Sequence, residues 1–263
     1  MRPRTLLAAA LAAVLLAGCA QSVDPIERLG KKAAQRVGSY GPARADGRPY
    51  RHWGLAAPLP SPPRVPARPV ADPGRVPPVV KRVPTSDKVV FLTYDDGAEK
   101  DPRFVDLVRE LRLPVSMFLT DSVIGPGYGH FARLRSVGAS IQNHTLDHPA
   151  LRGLPYTGQR AEICGQQEKV RSRFGIRPRL FRPPYGTYDR TTLRAAADCG
   201  LSAVVLWSVA LEEDGPRRPL RAGDIVSVAS GEARGPTLTE RTTGLLREIQ
   251  RRGLAVGRLE DYL

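Results

Sequence analysis

The chain has 263 residues, 41% of them hydrophobic, with 40 Lys and Arg against 26 Asp and Glu and a formal net charge of +14. Half of that excess lies in residues 20–87, which carry 12 basic against 5 acidic side chains, while residues 88–263 carry 26 against 21. A charge spread in this way argues against a nucleic-acid-binding domain, whose basic residues would gather on its folded surface.

Residues 1–19 read as an export signal. Arg2 and Arg4 form a basic start, and 6–16 supply an apolar core too short to span a bilayer. Leu16-Ala17-Gly18-Cys19 then resembles the bacterial lipobox, which implies cleavage before Cys19 and a diacylglycerol on it. The expected product is an exported protein, lipid-anchored at the outer face of the cell membrane. Residues 20–87 follow with a Pro- and Arg-rich composition, as in Pro58-Leu59-Pro60-Ser61-Pro62-Pro63. They are expected to form an extended, semi-rigid linker without a core of its own, with a short helix at 24–37.

From residue 88 strands and helices alternate. Strands are predicted at 88–93, 114–119, 139–143, 178–182, 202–207, 224–229 and 254–259, with helices at 102–111, 158–174, 191–199 and 239–252. The alternation is that of a parallel α/β protein. The first strand ends in Thr93-Tyr94-Asp95-Asp96-Gly97, and the third is followed by His144-Thr145-Leu146-Asp147-His148. Asp-Asp-Gly alone marks a turn. A His-x-x-x-His pair alone is more often solvated than metal-bound. Scarcity favours ligands here, because two of the four His, at 52, 130, 144 and 148, fall within five residues. A carboxylate and two imidazoles suit a borderline divalent ion and leave a coordination position open, which is chemistry for hydrolysis. A neighbouring carboxylate can then act as base.

A third cluster, Arg182-Pro183-Pro184-Tyr185-Gly186, closes the fourth strand. The order TYDDG, HTLDH, RPPYG resembles the first three motifs of the polysaccharide deacetylase, or NodB-homology, family, and the match spans roughly residues 88–263. The resemblance implies a distorted (β/α)7 barrel with its metal site at the C-terminal ends of the strands. It implies Asp95 as general base and Asp96, His144 and His148 as ligands of a divalent ion, zinc first, with cobalt or manganese as alternatives. Arg182 would orient Asp95, and the backbone N–H of Tyr185 would serve the oxyanion. The implied reaction is removal of N-acetyl groups from a peptidoglycan- or chitin-like polysaccharide, by a monomer that binds no nucleic acid.

The later motifs depart from the family pattern. Trp207-Ser208-Val209 is followed by Ala210 where an Asp is usual, and the Trp that would wall the acetyl pocket is missing. Ala229 and Ser230 stand in the place of the His-Asp pair whose His protonates the leaving amine, and no His follows His148. General acid catalysis contributes about 100- to 10,000-fold. The candidates to replace it are Asp95 itself, Glu212, Glu213 and His130. The alternatives are thus a catalytically impaired domain that binds an envelope glycan or partner, or an O-acetyl esterase. Cys164 and Cys199, on helices flanking the fourth strand, permit a disulfide or stay as buried thiols.

Overall fold

In the computed structural model, residues 48–65, 76–212, 215–228 and 235–263 are described. The central strand is β2 (Val89–Asp96), whose first six residues are buried. Alternation divides it between two cores. Val90, Leu92 and Tyr94 join Phe104, Leu107 and Leu245 on the helix side. Val89 and Phe91 join Phe118, Val205, Ile225 and Tyr262 on the other. A strand covered on both faces is a parallel-sheet strand, which is why its sequence is continuously apolar.

Taken in chain order, β1 (Val79–Val80), β3 (Val115–Leu119), β4 (Ser140–Asn143), β5 (Leu180–Phe181), β6 (Ala203–Val205), β7 (Val209–Glu212), β8 (Gly215–Pro216), β9 (Ile225–Val228) and β10 (Ala255–Val256) complete the sheet. Their order is β1-β6-β5-β4-β3-β2-β9-β7-β8, with β10 paired to the start of β2. Only the β7–β8 pair is antiparallel. All seven strands expected from the sequence are present, in the curled, parallel-dominated sheet of a distorted (β/α) barrel. Three are much shorter than expected, and 202–207 is a strand only at Ala203–Val205. The segment 178–182 pairs only at Leu180–Phe181, because Pro183 follows, and 254–259 ends at Val256.

The helices are α1 (Pro49–His52), α2 (Pro102–Leu111), α3 (Asp121–Ile124), α4 (Tyr128–Ser136), α5 (Tyr156–Phe174), α6 (Arg190–Asp198) and α7 (Leu238–Arg251). Caps set several of their starts. The Asp101 side chain accepts from Arg103 N, with Pro102 at the first helical position. Capping boxes open α6 (Asp189 with Thr192) and α7 (Thr237 with Glu240). Cys164 on α5 and Cys199 at the end of α6 are joined by a disulfide, which decides between the two expectations for this pair.

The linker expectation fails over part of its length. Trp53 and Leu55 are 5% and 3% exposed and belong to the main core, and Val83 is 1% exposed. Trp53 Nε1 donates to Glu110 of α2 at 2.8 Å, and Gln250 of α7 bonds Ala56 N and Ala57 O. β1 adds to β6 in parallel register. The folded unit therefore begins well before residue 88, because a few large apolar side chains inside a Pro-rich segment suffice to dock it. The export signal with Cys19, the helix expected at 24–37, and Glu213, Ala229 and Ser230 lie outside the described residues.

Candidate metal centre

The motifs converge at the C-terminal ends of β2, β4 and β5. Period-2 alternation would send Asp95 and Asp96 to opposite faces. Asp96 instead takes φ 64°, and the two carboxylates reach separate partners within one site. Gly97 follows at φ 83°, and a Cβ there would lie 2.5 Å from Ile124 and 2.8 Å from Phe131. Glycine alone lets the chain turn this close to the α3–α4 layer.

Asp96 Oδ1 lies 3.3 Å from His144 Nε2 and 3.0 Å from His148 Nε2. One ligand atom from each of the three residues falls within 4.8 Å of the others. His144 Nδ1 is 2.7 Å from the carbonyl oxygen of Arg182, an acceptor only, so Nδ1 carries the proton and Nε2 of the neutral ring presents a lone pair. That lone pair faces a carboxylate oxygen which is buried and receives no hydrogen bond. Two acceptors facing each other need a cation between them, and an imidazole fixed through its far nitrogen by a carbonyl is the usual support of a metal ligand. The donor set therefore fits a divalent ion.

Burial raises the Asp96 carboxyl, but before an ion binds a hydrogen bond from His144 and the positive charge of His144 and His148 when protonated outweigh burial and hold it below the ordinary range. Burial, with the neighbouring His144, lowers the His148 ring despite Asp96 and Asp95, which keeps it neutral and able to ligate near pH 7. Backbone strain gathers here too. Of the five described non-glycine residues with positive φ, four are Asp96, Thr145, His148 and Tyr185. Asn143 holds the β4 turn by accepting from Thr145 N, and Thr145 Oγ1 accepts from His148 N.

Asp95 belongs to a second, drier network. Arg182 is fully buried and donates from Nη1 to Asp95 Oδ1 at 2.6 Å and to Thr93 Oγ1 at 2.8 Å. Its Nε and Nη2 donate to the carbonyls of Val205 and Leu206, and its guanidinium stacks 4.3 Å from the Phe118 ring centroid. Ser227 of β9 donates to Asp95 Oδ2 at 2.7 Å. Tyr185 sits in the turn Pro184–Gly186 at φ 58°, its exposed ring edge-on to His148. Trp207 packs against Gly186 of the same turn.

The structure thus brings together all six site residues expected from the sequence. Thr93, Asn143 and Ser227 were missed, since a lone hydroxyl or amide in an apolar strand carries no signal of its own. Two of the other acid candidates are described. His130 is buried on α4 against Phe131, and burial pushes its ring down to about 4, leaving it neutral near pH 7. Glu212 is ion-paired to Arg217 on the β7–β8 hairpin.

Residues 82–204 match the polysaccharide deacetylase family. An uncharacterized protein of Streptomyces coelicolor is 62% identical over 200 residues, covering 73% of this chain and 80% of that protein. The chain belongs to the polysaccharide deacetylase family. A chitin deacetylase of Amylomyces rouxii is 35% identical over 122 residues, 45% of this chain but only 28% of that enzyme. The chain thus spans only part of the length of the fungal deacetylase that it matches. Bacillus subtilis PdaA, a family 4 carbohydrate esterase, superimposes with a TM-score of 0.62 at 19% identity, over 78% of this chain and 98% of that one. That likeness establishes the fold as that of the deacetylase family.

Proposed function

We propose that this protein is an exported, lipid-anchored hydrolase that uses a divalent metal to remove N-acetyl groups from cell-wall amino-sugar polysaccharides. The observation that carries the reading is the division of labour between adjacent carboxylates. Asp96 faces the Nε2 atoms of two imidazoles, and Asp95 faces a buried guanidinium. Relatives named as deacetylases of chitin, and of peptidoglycan N-acetylglucosamine in Bacillus cereus, support the substrate class.

A divalent ion held by Asp96, His144 and His148, zinc by the donor set with cobalt or manganese as alternatives, supplies Lewis acidity to the acetyl carbonyl and to a water. Asp95 is the proton acceptor for that water, held in place by Arg182. The Tyr185 N–H is offered to the oxyanion that develops on the carbonyl oxygen. Expulsion of the amine needs a proton returned to nitrogen. With His130 and Glu212 engaged elsewhere, Asp95 is the described group placed to return it.

Ala210 and Ala229 favour a second reading, a family member that binds envelope glycan without turning it over. An O-acetyl esterase is the third, because an alkoxide leaves with less need of a proton. Acetate release from defined N-acetylated and O-acetylated glycans by the zinc-loaded full-length protein separates them. The expected result is release from N-acetylated substrates, abolished in Asp95→Asn with the metal retained. Release from O-acetylated glycans alone establishes the esterase. No release from any, with glycan binding intact, establishes the binding protein.

A further inference from the structure

Arg182 bonds one oxygen of Asp95 and cannot fix the other. Its Nη1 is shared between Asp95 and Thr93, and its Nε and Nη2 serve carbonyls of the β6 end. The terminal torsion of an aspartate is soft and broad. Held at Oδ1 alone, the carboxylate would swing about that contact and present its second oxygen in varying directions. The second point of attachment comes from a different strand. Ser227 lies opposite Thr93 in the β2–β9 register, is 6% exposed, and donates its hydroxyl to Oδ2 at 2.7 Å. Its partner on the other side is Ala210 of β7, which brings no donor.

We propose that Ser227 is a positioning residue of the hydrolytic site, which fixes the plane of the Asp95 carboxylate so that a defined lone pair meets the attacking water. The inference rests on the reading of Asp95 as proton acceptor. Ser227 acts through Asp95 and contacts neither the candidate metal ligands nor, in this assignment, the substrate.

The test compares the wild-type full-length protein with Ser227→Ala, Ser227→Thr and Asp95→Asn on an N-acetylglucosamine oligomer, with zinc content and melting temperature measured for each. Ser227→Ala is expected to lower kcat about tenfold, the effect of losing one hydrogen bond to a charged group. KM and zinc content should stay at wild-type values, and melting temperature should fall by no more than the few degrees that one lost buried hydrogen bond costs. Ser227→Thr, which keeps the hydroxyl, should recover most of the rate. A crystal structure of Ser227→Ala should show the Asp95 carboxylate rotated about its contact with Arg182. Unchanged kcat in Ser227→Ala, a threonine variant no better than alanine, or an unrotated Asp95 overturns the inference. If the wild type releases no acetate, or Asp95→Asn turns over normally, the deacetylase reading fails first and takes this inference with it.

Discussion

His144 is fixed from behind before any ion arrives. Its Nδ1 proton is committed to the Arg182 carbonyl, its own carbonyl accepts from Thr120 Oγ1, and its N–H donates to Leu119 O. A residue held at both backbone groups and at the far nitrogen of its ring spends little entropy on ligation, so deleting the ring removes a preorganised donor and not a mobile one. The wild-type full-length chain should carry about one divalent ion, the load of a three-ligand site. His144→Ala and His148→Ala should each leave two donors and lose most of it. Elemental analysis showing the wild-type load in both variants would remove the site. At this scale the sequence pointed to the candidate ligands, because two His within five residues in a His-poor chain stand out. It concealed Ser227, whose meaning depends on a carboxylate 132 residues away.

At the scale of elements, legibility follows how local the signal is. The helix expected at 102–111 is α2 at Pro102–Leu111, because Asp101, Pro102 and the apolar spacing all act within a turn or two. α4 was missed because it follows directly on Gly125-Pro126-Gly127, residues that read as loop. The docking of residues 48–59 was hidden for the opposite reason, since Pro-rich composition masked one Trp. Trp53 is buried in the main core and bonded to Glu110 near the end of α2, so Trp53→Ala should leave a cavity there. The expected loss is about 3 kcal/mol, the low end for truncating a buried Trp. Urea unfolding measures it, and an unchanged midpoint would mean that the segment is not part of the cooperative unit.

The order of the seven core strands was readable across the whole molecule, since each is an apolar run separated by a helix-length segment. The pairing was not. Placing β9 beside β2 and β1 beside β6 joins residues more than a hundred apart, which no local pattern encodes. The same long-range packing bears on the tether. With residues 48–59 held against α2 and α7, the folded unit extends back at least to residue 48 and does not start at 88.

Among the described residues no helix is long and apolar enough to cross a membrane. The proposed scheme attaches the protein through acyl chains on Cys19. A single acyl chain binds marginally, whereas two anchor stably. Twelve basic against five acidic residues at 20–87 add attraction to anionic headgroups, which salt would weaken. Wild-type protein should therefore sediment with membranes, resist a high-salt wash and incorporate labelled fatty acid. Cys19→Ala should carry no label and be released by salt, retaining only the electrostatic contribution. A wild type that is unlabelled and recovered in the medium would overturn the anchored reading. A Cys19→Ala protein still bound after the wash would show that something other than the lipid holds it.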